Sequence, residues 1–274
     1  MPQPKTNPPQ NLWPLAACAA AVLVVIWIAT GFDVPHSGAK GKVLALPITP
    51  AFVFDGKSGA NPVGSLTTDG DNLFGRTSAG GQHGHGVIFR FEPASYRMAW
   101  NISFTGDDEK TVGSTPRHDS MYYEPGSGLL FGTTIYVNGK SENTSGGGVL
   151  FTVDPHGEGY QTLHTFGRSA DGNDWKEDGR HAHSCFIPSS DGNKLYGATA
   201  SGGRANAGTI YTVSLPGKPA YSAPLFTWPK NEKDAPLGNE PHGRPVVYQA
   251  GKNDILLGMT RKGGKHGFGV VYRY

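Results

Sequence analysis

The chain has two cysteines, Cys18 and Cys185, in 274 residues. Cys18 lies in an apolar run near the amino terminus and Cys185 stands alone. An intrachain disulfide in the folded part is therefore excluded, and so is any pair of closely spaced cysteines for zinc. An excess of one charge is missing too. The 24 Lys and Arg against 22 Asp and Glu leave a net charge of +2, which lacks the basic footprint of a nucleic-acid binder, so nucleic acid is not expected as a partner. There is no Gly-x-Ser-x-Gly elbow and no His-x3-His pair, which removes the sequence basis for a serine hydrolase or a zinc hydrolase. The residues therefore assign no catalytic group, no metal and no cofactor.

What is abundant is glycine and proline, 40 and 21 residues, with aromatics at 11%. Outside one segment there is little of the Leu, Ala, Glu and Lys patterning of helices, so many short strands joined by tight turns are expected. The exception is Thr6 to Phe32, which carries no charge. Within it Leu15 to Phe32 is long enough at about 1.5 Å per residue to cross a hydrocarbon core of about 30 Å. The expected organisation is a Pro-rich tail over 1–12, a transmembrane helix over 13–32, a linker over 33–42 and one domain over 43–274. Trp13, Leu15, Val22, Val25, Trp27 and Phe32 are the expected anchor residues, in contact with lipid. Lys5 stands on one side of the span, with Asp33, Lys40 and Lys42 on the other. A long carboxy-terminal domain crosses largely regardless of such charges. The expected placement is a single-pass protein with its amino terminus inside and its domain outside.

The domain is repetitive. "LFG" ending at Gly75 recurs as "LFG" at Gly132, "LYG" at Gly197 and "LLG" at Gly258. After each comes a further strand, "GVIFRF" from Gly86, "GVLFTV" from Gly148, "GTIYTV" from Gly208 and "GVVYRY" from Gly269, at spacings of 62, 60 and 61 residues. Each repeat reads as four antiparallel strands: one after a Pro- or His-containing loop, one at the "LFG" position, the "GVIFRF" strand, and a short aromatic one such as "WNISFTG" or "PLFTWPK". Four strands in about 60 residues is the size of a propeller blade. The last repeat stops at its third strand, and "PAFVFDG" (Pro50 to Gly56) ahead of the first repeat has fourth-strand character. The expected fold is an all-β, four-bladed propeller closed by this N-terminal strand and preceded by one transmembrane helix.

The stretches "SGANPVGSLTTDGDNLFGRTSAGGQHGHGVIFRF" and "KLYGATASGGRANAGTIYTV" resemble the GloVer tandem repeat of bacterial surface and secreted proteins. That resemblance implies repeated β-structure and an extracytoplasmic, usually bacterial setting, so with the span the expected localisation is a bacterial inner membrane with the carboxy-terminal domain in the periplasm. It implies no chemistry.

Candidate sites follow from the repeat. The glycine loop "SAGGQHGHG" precedes a strand, whereas a phosphate cradle needs a helix there, so it is read as a turn. Asn206 aligns with Gly84 and Gly267, and Asn is the residue that best tolerates positive φ. Counting fourteen residues back from the "LFG"-type glycines gives Asn61, His118, His183 and Arg244, with His181 and His242 close by. In a propeller these loops meet at one mouth of the channel, where a His/Arg cluster suits an anion, or a metal if the ring nitrogens are neutral. Trp100, Trp175 and Trp228 are candidate stacking platforms, while His83 and His266 are expected as exposed turn residues. The Asp-Gly stretches "TTDGDN", "SADGNDW" and "SSDGNK" lack the ligand spacing of a calcium loop and read as turns. Because the special residues serve turns, the first expectation is a non-enzymatic, membrane-anchored subunit binding other protein subunits of a membrane complex. The alternative is an enzyme or a glycan- or anion-binding protein that uses the channel mouth.

Overall fold

The computed structural model describes residues 48–106, 112–117, 120–137, 147–167, 178–183, 186–215, 217–229, 237–251 and 253–274. These residues are all-β and form four antiparallel sheets in chain order. The first holds β1 (Ala60–Thr68), β2 (Leu73–Ala79), β3 (Val87–Glu92) and β4 (Arg97–Ser103). The second holds β5 (Tyr122–Glu124), β6 (Leu129–Thr133), β7 (Val149–Val153) and β8 (Gln161–Thr165). In the third, β9 (Gly179–Ala182) and β10 (Ile187–Pro188) share the inner position beside β11 (Lys194–Gly202), followed by β12 (Thr209–Ser214) and β13 (Ala220–Thr227). The fourth holds β14 (Asn239–Ala250), β15 (Asn253–Lys262) and β16 (Val271–Arg273).

The middle strands of the second and third sheets are buried on both faces because each of these sheets packs between two neighbours; every residue of β7 is buried, for example. One face, here called leading, points to the next sheet in the chain, and the trailing face points back. Phe74 and Ile88 lead from the first sheet onto Val149, Phe151 and Val153 of the second. Phe131 and Leu150 lead onto Leu195, Tyr211 and Val213 of the third. Tyr196 and Ile210 lead onto Leu256 and Tyr272 of the fourth.

A threonine two residues after each "LFG"-type glycine fixes the register. The hydroxyls of Thr77, Thr134, Thr199 and Thr260 donate to the carbonyls of Ala79, Tyr136, Ser201 and Lys262 at 2.8–3.0 Å. Over these threonines sit Gly59, Gly113, Gly179 and Gly238, where a Cβ would collide with the hydroxyl or methyl group. Two residues further on, Asn61, Thr115, His181 and Glu240 all adopt φ between 52° and 55°. Three of the four donate their N–H to the turn of the preceding sheet: Thr115 to His85, His181 to Gly147 and Glu240 to Ala207, at 2.8–2.9 Å. A second bond marks the same three junctions, from the N–H of Phe104, Phe166 and Trp228 to the carbonyls of Gly86, Gly148 and Gly208 at 2.9–3.0 Å.

The ends of the arc depart from expectation. β16 pairs with β15 alone among the described residues, so the fourth sheet has three strands. Pro50 to Gly56 forms no strand and does not pair with β16. Phe52 and Phe54 instead lie on the trailing face of the first sheet against Phe89, Phe91, Leu73 and Met98, where their apolar surface is covered. No helix among the described residues is long and apolar enough to cross a membrane. The expected span, with Trp13, Leu15, Val22, Val25, Trp27 and Phe32, lies outside the described residues.

Candidate functional site at the centre of the sheets

The inner strand of every sheet contributes to one central cleft of ≈ 410 Å³. Its wall combines Ser65 to Thr68 of β1, Ser120 to Tyr123 at β5, Phe186 ahead of β10 and Arg244 of β14. Alternation along extended chain turns every second side chain inward, and here the inward positions carry hydroxyls. The Ser65 N–H donates to Ser120 Oγ at 2.8 Å, and the Thr67 hydroxyl donates to the Met121 carbonyl. These two bonds hold β1 and β5 side by side at the cleft. Burial, helped by the Glu124 charge, pushes the Tyr122 hydroxyl above its usual value, while Arg244 pulls it back. At neutral pH Tyr122 is therefore a neutral donor and Arg244 the cation beside it. Among the described residues the Arg244 guanidinium pairs with no carboxylate, and its side chain is exposed.

A chain of rings continues from the cleft along the mouths of three sheets. Tyr136 meets His181 edge-on at 5.6 Å, His181 lies 6.4 Å from His183, and His183 lies 4.8 Å from His242. His181 Nδ1 is 3.0 Å from Ser201 Oγ. Among the described residues no group of three His, Cys, Asp or Glu has a metal-holding arrangement.

The junction behind His181 is braced by a buried hub. Asp178 accepts from Tyr221 Oη at 2.8 Å and from the N–H groups of Gly167 and Gly179 at 2.9 and 2.8 Å. It also meets His164 Nε2 at 2.8 Å, and the His164 and Tyr221 rings stack with centroids 3.6 Å apart. Burial works to raise the Asp178 carboxyl, but the His164, Gly167 and Tyr221 hydrogen bonds outweigh it and hold the group below its usual value. Since Asp178 immediately precedes β9, the hub positions the strand that carries His181 to the site.

The residues expected at the channel mouth divide. His183 and His242 occupy equivalent places, four residues after Gly179 and Gly238, and they do meet. Arg244 lies two residues beyond His242 and reaches the cleft. Asn61 is aligned instead with Thr115, His181 and Glu240 at the left-handed turn. The count of fourteen slipped because the hairpin joining the inner strand to the "LFG"-type strand is longer between β14 and β15 than between β1 and β2, whereas the register shifts between Val63 and Thr67 and between His242 and Val246 are equal. His118 and Trp175 lie outside the described residues. The other two stacking candidates are corrected: Trp228 is buried with its ring on Tyr272 and donates Nε1–H to Leu237, and Trp100 packs on Phe74 and donates to Pro155. Both are wedges between sheets, because a large indole at the fourth-strand position fills the gap to the next trailing face. His83 and His266 are exposed in turns, and the glycine loop leads into β3 through Gly80, Gly81, Gly84 and Gly86, all at positive φ. The hydroxyls of Ser65, Thr67, Ser120 and Tyr122 were not anticipated. Their signal is the matched start of "SLTT" and "SMYYE" in successive inner strands.

No family model matches the chain, and no curated protein matches it. Among solved structures it is similar to an α-L-arabinanase of Penicillium chrysogenum complexed with arabinobiose, at 14% identity and a TM-score of 0.43, over 82% of this chain and 64% of that one. It is also similar to a native arabinanase of Bacillus subtilis, at 15% identity and a TM-score of 0.39, over 77% and 68%. A GH43 β-1,3-galactosidase gives 12% identity and a TM-score of 0.41, over 74% and 41%, so this chain spans about two fifths of that protein. Likeness at this level concerns the fold alone. These similar structures are named as sugar-cleaving enzymes, which stands against the expectation of a non-enzymatic membrane subunit and on the side of its alternative, a site at the channel mouth.

Proposed function

We propose that the central cleft binds a saccharide that carries a carboxylate. The observation that carries this reading is Arg244, a cation without a carboxylate partner among the described residues, set in a wall of hydroxyls. A guanidinium presents paired N–H groups in the plane that matches a carboxylate, and such charge-assisted bonds exceed neutral ones. Ser65, Thr67, Ser120 and Tyr122 offer donors and acceptors for sugar hydroxyls. Cleaving a glycosidic bond additionally calls for a pair of carboxyl groups. The described lining residues supply recognition.

On this reading each sheet is one blade of a four-bladed propeller around the cleft. Leu15 to Phe32 is its membrane anchor, with the domain on the periplasmic side, and membrane fractionation of the full chain against a variant lacking residues 1–32 tests that part. The binding reading is tested by calorimetric titration of the full-length chain with a glucuronate-containing oligosaccharide and with its neutral glucose counterpart. Binding of the acidic probe and its weakening by at least about tenfold in Arg244→Ala is expected, since a hydrogen bond to a charged group is worth about 1.5–3 kcal/mol. A wild-type chain that shows no preference for the acidic probe, or an Arg244→Ala variant that binds it unchanged, overturns the proposal.

A further inference from the structure

The leading face of the fourth sheet is open where the same positions are closed three times over. Phe74 and Ile88, Phe131 and Leu150, and Tyr196 and Ile210 stand one before the "LFG"-type glycine and two after the glycine that opens the third strand. All six are no more than 4% exposed. Their counterparts in the fourth sheet, Leu257 and Val271, are 38% and 76% exposed, and Met259 beside them is 62% exposed. Apolar side chains at positions built for a neighbour leave an unpartnered face of the kind that marks an interaction surface.

A matching socket lies at the other end of the arc. The trailing face of the first sheet carries a largely apolar cleft of ≈ 450 Å³ walled by Phe52, Phe54, Leu66, Gly75, Phe89 and Phe91. Gly75 is the "LFG"-type glycine of that sheet; at the three closed junctions the corresponding Gly132, Gly197 and Gly258 sit under the ring of Phe151, Tyr211 or Tyr272, as Gly75 sits under Phe89. Phe54 meets Phe89 as the fourth-strand aromatics Phe104 and Trp228 meet Phe151 and Tyr272. The segment thus already holds the place of a fourth strand on the trailing face, without a third strand beside it. The inner strands bearing the two ends, β1 and β14, line one cleft, through Leu66 and Arg244.

We propose that the fourth sheet docks on this socket within the same chain: Leu257, Met259 and Val271 enter the cleft on the first sheet, and Phe52 to Phe54 pairs with β16 as its fourth strand. The register follows from the first sheet, where Val87 faces Ser103 and Ile88 faces Ile102, with the Phe104 N–H bonded to the Gly86 carbonyl. Transferred to the seam, Val53 faces Val270, Phe52 faces Val271, and the Phe54 N–H donates to the Gly269 carbonyl. This closure rests on the four-blade reading and is independent of what the cleft binds. The open arc and the closed ring differ by the docking of one sheet, so the seam is also the element that shuts the side of the central cleft.

The test is a cysteine pair, Val53→Cys with Val270→Cys, in a full-length chain whose Cys18 and Cys185 are replaced by Ser, oxidised mildly and analysed by mass spectrometry and light scattering. In this register Val53 and Val270 form a non-hydrogen-bonded antiparallel pair, whose Cα atoms lie about 4.5 Å apart, within the range that a disulfide spans. An intrachain disulfide in a monomer is expected, and Leu257→Asp should abolish it. A disulfide between two chains would show that the face takes a second copy, and no disulfide would show that the ring stays open; either overturns the proposal. Should the cysteine variant fail to fold, hydrogen exchange on the unmodified chain decides: slow exchange at the Phe54 amide is expected, and fast exchange overturns closure. If the acidic saccharide still binds through Arg244 while the disulfide is absent, closure alone fails.

Discussion

Phe54 meets Phe89 with ring centroids 5.2 Å apart and planes at 65°, nearly the geometry of Phe104 on Phe151, at 5.6 Å and 66°. The two pairs belong to different ends of the repeat, one before the first sheet and one after it. Their equivalence makes an energetic comparison possible. Phe104 is fully buried, so Phe104→Ala should cost about 3–5 kcal/mol in denaturant unfolding. Phe54 is half-buried as described, and closure of the seam would bury it as fully as Phe104, so Phe54→Ala should cost about as much. A clearly smaller cost for Phe54→Ala would indicate that the seam stays open.

The threonine that sets each sheet's register has two bonds to lose. Thr134 donates to Tyr136 at 2.9 Å and accepts from the Val149 N–H at 3.2 Å, inside the second sheet. Thr134→Val keeps the shape and strands both groups, so a loss of about 1–3 kcal/mol is expected by chemical denaturation. Thr134→Ser, which keeps the hydroxyl, should recover most of it.

Glycines of equivalent loops should differ in what they tolerate. Gly267 has φ of +82° with open space around its missing side chain, and Asn206 fills the equivalent place at φ 54°. Gly267→Asn should therefore shift the melting temperature by no more than a few degrees. At Gly148, φ is +96° and a Cβ would strike the Thr134 carbonyl, so Gly148→Ala should fold poorly or melt far lower, as judged by thermal unfolding.

Acid should act through Asp178. Its folded-state carboxyl lies below the ordinary 3.8, held there by His164, Gly167 and Tyr221 against the effect of burial. A depressed carboxyl stabilises the fold above its unfolded value, and that stability is lost as pH falls below about 4 toward the folded one. Asp178→Asn should unfold more easily at pH 7 and show a shallower fall in stability between about pH 4 and pH 2, measured by urea unfolding across that range. An unchanged acid slope would remove Asp178 from the role.

Much of the architecture was legible along the chain. The glycine spacings mark four units, alternation marks their strands, and an aromatic after each fourth strand marks the next sheet's cover, because turn conformation and side-chain alternation are properties of a few adjacent residues. The same local rules read the glycine loop correctly as a turn. They failed on Trp100 and Trp228, whose indoles a sequence offers equally to a ligand or to a neighbouring sheet. They failed also on Asn61, since counting residues assumes equal lengths and the hairpin between β14 and β15 is longer than that between β1 and β2.

By itself the sequence determined the all-β class, the fourfold repeat and the histidine pair worth watching. Only the tertiary structure decided that Arg244, Tyr122 and the inner-strand hydroxyls share one cleft, and that Phe52 and Phe54 settle on the first sheet rather than beside β16. The reason is physical. Periodicity reports which face of a strand is apolar, whereas the partner of that face is chosen by packing between segments some sixty residues or more apart, and no local pattern encodes that choice.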